Sequence, residues 1–407
     1  MKKIFKNYKQ TIILLGAIII GGIIGFIFKE DAVVLKPFGD LFINMMFIII
    51  VPLIFLTIAS SIIKMEDTKR LGKVMSRIFI VFIITSVVAV VIGLIGTSFT
   101  QLVSSGDVKE ITRLFDYSAR IDTELNLLDR TVSLISVNDF SGLFSKDNII
   151  AILVFALMFG TAIRMGKTKT KKVKELVLEL NEIMLNLIKI VMYYAPIGLG
   201  AYFAALIATY GGEIALGFIK TFLIYTVVSI LVYIFLYSLY AYLGGGKKGL
   251  KSYWKNVIPP TVTALATCSS AASIPVNIEA VKKIGVSDDI AESIVPLGTS
   301  FHKEGSVIGS VFKIMFLVHL FQADASIFKI ALVAIVVTLL VSAVPVGGGT
   351  ISEMMILSMM GFPAAALPIL TIIATIIDAP ATVLNVVGDT STSMLVARST
   401  DGKDWNK

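Results

Sequence analysis

The chain has 407 residues, of which 56% are hydrophobic and only 16% charged, and its mean hydropathy is +0.89. That balance excludes an ordinary soluble multidomain protein and describes a polytopic membrane protein. The net charge of +8 does not mark a nucleic-acid binder, because the basic residues fall in short loops between apolar runs, and a single cysteine, Cys268, excludes an intrachain disulfide framework.

A membrane-spanning helix needs roughly 20 apolar residues. Such runs fall at 11–28, 39–63, 78–103, 148–165, 183–206 and 214–243. The first follows Lys2, Lys3, Lys6 and Lys9 like a signal peptide, but it is too long and lacks a small-residue cleavage site, so a retained helix is expected. Basic clusters follow the second run (Lys64, Lys69, Arg70, Lys73, Arg77), the fourth (164–174) and the sixth (Lys247, Lys248, Lys251, Lys255). The long polar stretch 104–147 carries more acids than bases. This alternation predicts a multi-pass protein of the plasma (inner) membrane with both termini cytoplasmic. Pro196 is expected to kink the fifth span.

From 255 to 396 the pattern changes. The segments "IPPTVTALATCSSAASIPV", "VPLGTSFHKEGSV", "VSAVPVGGGTI" and "IIDAPATVLNVVGDTSTSM" are too rich in Gly, Pro, Ser and Thr for helices facing lipid. Such backbone is tolerated at membrane depth only when buried in protein or lining an aqueous cavity. The segments form two pairs: hairpin candidates at 255–283 and 330–362, each followed by a span with a polar break, at 287–320 and 363–396. Paired hairpins and broken helices are features of secondary transporters.

The break at 287–320 contains "FHKEGS". On a regular helix His302, Lys303 and Glu304 point about 100° apart and cannot share one protein partner. Each charge at the centre of a bilayer costs roughly 2.5–3.5 kcal/mol. Unwinding around Gly305 is therefore expected, so that the side chains converge inward. In the last span Asp378, Asn385 and Asp389 are spaced to lie on one helical face. There they can hold a substrate ammonium and a hard monovalent cation, or serve as an interhelical polar seam. A membrane-embedded enzyme using Cys268, Ser269 or Ser270 with His302 is a distant alternative, because no nucleophile elbow accompanies them. His302 and His319, the only histidines, lack the spacing of metal ligands.

These residues resemble the dicarboxylate/amino acid:cation symporter family, the glutamate transporter homologues, over nearly the whole chain. Thr85 and Ser86 match its third-span Thr-Ser pair, "CSSAASIP" its serine-rich first hairpin tip, "PLGTSFHKEGS" its seventh-span motif and "DAPATVLNVVGD" its eighth-span motif. The resemblance implies an all-α fold of eight transmembrane helices and two re-entrant hairpins, assembled as a homotrimer. Residues 1–243 would be mostly scaffold, with spans three and six joining a transport domain centred on 244–398, and 399–407 would be a cytoplasmic tail. Transport would proceed by an elevator motion, with no covalent cofactor and no nucleic-acid partner.

By position, Asp378 would bind a substrate amino group, and Thr382 and Asn385 its carboxylate end. Ser269, Ser270, Ser306 and backbone from Val344 to Gly348 would complete the site. Gly298, Asn385 and Asp389 match one sodium site, and Thr85, Ser86, His302 and Glu304 stand at a second cation site.

Departures from the family pattern shape the functional expectation. Acidic-substrate members carry arginine at the position of Cys268 or of Ala381, and neither residue here reproduces its bidentate grip on a carboxylate. A neutral amino acid is therefore the favoured substrate, with dicarboxylates or acidic amino acids the alternative if Lys303 or Lys313 replaces the arginine. His302, Lys303 and Glu304 replace Asn, Met and Asp of the family motif. A lysine ammonium cannot ligate sodium, so coupling wholly or partly to protons is expected, with Glu304 the carrier and Lys303 a fixed cation. The competing reading is a structural Lys303–Glu304 pair with sodium still bound at Asp389. Glu353 is an extra acid near the second hairpin.

Overall fold

The computed structural model describes residues 2–64, 72–99, 101–103, 136–144, 148–210, 212–340, 348–403 and 405–406. Fourteen α-helices and no strands occur among them. The first seven are α1 (Lys2–Phe28), α2 (Lys36–Lys64), α3 (Gly72–Ser98), α4 (Ile149–Met165), α5 (Lys171–Tyr210), α6 (Gly212–Leu231) and α7 (Tyr237–Asn256). The second seven are α8 (Ile258–Thr267), α9 (Ser270–Ile284), α10 (Asp288–Phe301), α11 (Glu304–Phe321), α12 (Ile327–Leu340), α13 (Gly348–Met360) and α14 (Leu367–Asp401).

Five helical runs among the described residues are long and apolar enough to cross a membrane: Ile12–Phe42, Ser76–Ser98, Ile214–Asn256, Asp288–Phe321 and Ala364–Asp401. A sixth is the bent pair Lys167–Val191 and Tyr193–Thr209, which meet at 49°. Pro196 causes that bend, since its missing N–H and its ring disrupt the turn back to Met192. The sixth span does not stop at 243. It passes through a single π-helical turn, Val232–Leu236, and runs on to Gly246, where the chain kinks (φ 62°, ψ −157°) before the basic second half of α7.

The helices pack in two groups. α1, α2 and α4 gather on α5 or on one another, whereas α3, α6 and α7 pack against α11 and α14. The second group holds the driest interior, with almost every residue of α11 and of 381–397 buried. Outward faces of α1, α6, the π turn and α7 expose Ile19, Phe26, Leu216, Phe235 and Leu239, as a lipid-facing surface requires.

Both hairpin candidates contain paired helices. In the first, α8 ends at Cys268 in the left-handed conformation (φ 45°, ψ 36°). Ser269 then caps α9 by accepting a hydrogen bond from the Ala272 N–H at 3.2 Å. A two-residue turn thus reverses the chain. α9 closes on Gly285, whose φ of 112° suits a helix C-terminus. Asn277 ties α9 to the core: its amide donates to the Val386 carbonyl at 2.9 Å and its oxygen accepts from the Thr390 hydroxyl at 2.5 Å. The second hairpin comprises α12 and α13, and Val344 between them lies outside the described residues.

Two expectations about the broken spans need correction. The seventh span does break, but at His302 (φ −122°, ψ 101°) and Lys303 (φ −135°, ψ 73°), not around Gly305. Gly305 lies within the first turn of α11, against the Ala381 carbonyl, where any Cβ would collide. Glycine is there for close helix approach and not for unwinding. The eighth span shows no break: α14 runs unbroken from Leu367 to Asp401 with Pro380 inside it. Packing on all sides compensates the single hydrogen bond that proline removes.

Candidate functional site

The break between α10 and α11 delivers His302 into a fully buried position. Its Nδ1 lies 2.8 Å from Asp389 Oδ1 on α14, and its Nε2 lies 2.8 Å from Thr85 Oγ1 on α3. The Thr85 hydroxyl donates to the Val81 carbonyl at 2.9 Å, so its oxygen is left to accept from an Nε2–H. Phe82, one turn earlier, stacks on the imidazole with centroids 4.2 Å apart and planes 9° from parallel. This geometry accommodates one proton between His302 and Asp389, as imidazolium with carboxylate or as imidazole with carboxylic acid.

Glu304 follows at the start of α11, fully buried, with Oε1 3.5 Å from His302 Nε2. Neither carboxylate oxygen has a hydrogen-bond partner, and nor does the Tyr240 hydroxyl on the same side. Tyr237 borders the same pocket and donates to the Leu384 carbonyl at 2.8 Å. Gly388 makes room, since a Cβ there would stand 3.2 Å from Glu304 Oε2 and 3.0 Å from the Tyr237 hydroxyl.

Asn385 faces α11. Its Oδ1 accepts from the Ser306 N–H at 3.1 Å and its Nδ2 donates to the Ser306 Oγ at 3.0 Å. Asp378 is half-buried, and Thr382 follows one turn later and is buried. Ala381 is buried, with its carbonyl against Gly305. Ser269 and Ser270 sit half-buried at the tip of the first hairpin, and Gly348 opens α13.

Gly298 and Asp389 come together, for the Asp389 carboxylate fills the space a Cβ would take at position 298. Asn385 is engaged with Ser306, the Gly298 carbonyl accepts from the His302 N–H at 2.8 Å, and Asp389 is bonded to His302. The imidazole bridges Thr85, expected at the second cation site, and Asp389, expected at the first. Ser86 is buried beside Thr85, and Lys303 at the break interacts electrostatically with Asp389.

Lys313 pairs with Glu353, Nζ to Oε1 3.2 Å, and both are buried. His319 accepts from the Leu102 N–H at 3.2 Å and is a structural residue. The hydrogen bonds described for His302 go to Thr85 and Asp389 and not to Cys268, Ser269 or Ser270, the nucleophiles of the enzyme alternative. No cluster of three or more metal-ligating side chains occurs among the described residues.

Sequence reasoning missed Phe82, Tyr225, Tyr237, Tyr240, Asn277 and Gly388. A tyrosine stripe at helical spacing, Tyr225, Tyr233, Tyr237 and Tyr240, was the available signal. Its hydroxyls reach the Gly305 carbonyl (2.8 Å), Thr261 (3.0 Å) and the Leu384 carbonyl.

The model of the sodium:dicarboxylate symporter family matches residues 10–399. The C4-dicarboxylate transport protein of Bacillus subtilis (strain 168) is 25% identical over 424 residues, covering 100% of this chain and 96% of that protein. The proton/sodium-glutamate symport protein of Bacillus caldotenax is 25% identical over 396 residues, covering 94% and 92%. The C4-dicarboxylate transport protein of Brucella anthropi is 28% identical over 416 residues, covering 98% and 90%.

Proposed function

Since this chain belongs to the sodium:dicarboxylate symporter family, we propose that it is a cation-coupled symporter of C4-dicarboxylates or acidic amino acids. The relatives' names support that substrate class over the neutral amino acid suggested by Cys268 and Ala381. The neutral substrate is kept as a second reading because those two positions carry no cation. Lys303 or Lys313 would supply the charge that arginine supplies elsewhere. The remaining parts of the proposal are eight spans with two re-entrant hairpins, a homotrimer in the plasma membrane with cytoplasmic termini, and elevator movement of a transport domain. The separate packing of α3, α6, α7, α11 and α14 supports that division.

Coupling is to protons, alone or with sodium. The observation that carries this is the His302 imidazole lodged between Thr85 and Asp389, where protonatable groups take the place of oxygen ligands awaiting an ion. Glu304, buried beside it with no hydrogen bond to its carboxylate oxygens, is the proton carrier, and Lys303 is the fixed charge near Asp389.

Uptake into proteoliposomes tests the proposal, with radiolabelled succinate, aspartate and alanine offered under an imposed sodium gradient or an imposed pH gradient. Succinate or aspartate accumulation driven by the pH gradient is expected. Accumulation that needs sodium and ignores pH overturns the coupling, and accumulation of alanine alone overturns the substrate class.

A further inference from the structure

The Lys313–Glu353 pair joins three helices. Lys313 stands on α11 and Glu353 on α13, with side chains 7% and 1% exposed. From α14 the Thr371 hydroxyl lies 3.2 Å from Glu353 Oε2 and 3.0 Å from the Leu367 carbonyl, between which its proton is shared. Replacing a buried ion pair by apolar residues is often neutral or stabilising, so stability is a weak reason to place one here. Charges inside membrane proteins are costly and usually serve a task.

Position suggests the task. α11 and α14 run antiparallel, with Ser306 against Asn385 and a Cβ at Gly309 falling 2.9 Å from Ile377. Lys313 continues this ladder toward the Asp378 end, and Asp378 interacts electrostatically with both Lys313 and Glu353. One turn beyond Gly309, the Lys313 ammonium meets Glu353, which is held in turn by Thr371 two turns before Asp378. The ammonium is paired with the Glu353 carboxylate, and the Asp378 carboxylate interacts with both through space. A third carboxylate entering without an exchange would place three anions around one cation.

We propose that Lys313 is the anion-recognising residue of the substrate site and that Glu353 is its built-in competitor. The distal carboxylate of an acidic substrate takes the Lys313 ammonium in exchange for Glu353, which keeps the Thr371 hydroxyl. This rests on the acidic-substrate reading and deepens it, choosing Lys313 over Lys303, whose electrostatic partner is Asp389 at the coupling network. A neutral amino acid lacks the distal carboxylate and leaves the ion pair intact.

The test is equilibrium binding of radiolabelled succinate, aspartate and alanine to the purified full chain at one pH. Glu353→Gln removes the competitor and is expected to tighten succinate and aspartate about tenfold, the worth of one charge-assisted hydrogen bond, with alanine unchanged. Lys313→Gln should weaken both acidic ligands by roughly 100-fold or more. Because that variant strands a buried carboxylate, the charge-neutral pair Lys313→Gln with Glu353→Gln is measured beside it and should be monodisperse yet blind to acidic ligands. Acidic ligands held by the double variant at wild-type strength overturn the proposal, as does Glu353→Gln weakening them. A wild-type chain that binds alanine but neither acid overturns the substrate reading itself, and this inference falls with it.

Discussion

The Asp389 carboxylate occupies the space that the Cβ of any residue other than glycine would need at position 298. α10 and α14 therefore meet face to face at this point, with backbone on one side and an acid on the other. Gly298→Ala should cost about 1–3 kcal/mol through overpacking and abolish uptake. Thermal unfolding of the detergent-solubilised protein reads the first effect, and an unchanged melting temperature would show that the two helices do not approach so closely.

His302 supplies the only hydrogen-bond partner described for the Asp389 side chain. His302→Ala should destabilise the protein by roughly 3–5 kcal/mol, the cost of removing one member of a buried charged pair. Adding Asp389→Asn should recover part of that loss. A double-mutant cycle on unfolding measures the coupling, and strict additivity of the two changes argues against the pair.

Glu304→Gln keeps the shape of a side chain whose oxygens have no hydrogen-bond partners, so the variant should fold like the parent. Its initial uptake rate should lose its dependence on pH over the range in which carboxylates and histidines titrate. A pH profile that matches the parent's moves the proton carrier elsewhere.

Asp378→Ala separates two substrate classes. If the carboxylate binds a substrate amino group, aspartate and alanine uptake should vanish while succinate, which has no amino group, is still taken up. Retained aspartate uptake at the parent rate would remove Asp378 from that role.

The membrane class, the helical hairpin around Cys268 and Ser269 and the break beside Lys303 were legible because each depends on a few neighbouring residues. Hydropathy marks apolar runs, a serine caps the helix that follows it, and adjacent charges resist a regular helix at bilayer depth. The position of the break was misjudged because Gly305 looks like a flexible point, when its real constraint is the Ala381 carbonyl of a distant helix. The continuity of α14 through Pro380 was illegible for the same reason. A proline's local penalty is visible in sequence, but the packing that compensates it is not.

Hydropathy and residue spacing alone establish that this chain crosses a membrane, that its last third holds two hairpin candidates and a span with a polar break, and which side chains carry charge into the interior. How those charges are matched emerges from the packed helices: His302 with Asp389 and Thr85, Lys313 with Glu353, and Glu304 with no hydrogen-bond partner. Span placement follows from the transfer energy of contiguous residues, which adds along the chain. Pairing depends on the register of α3, α10, α11, α13 and α14, and that register is set by side-chain packing between segments far apart in the sequence.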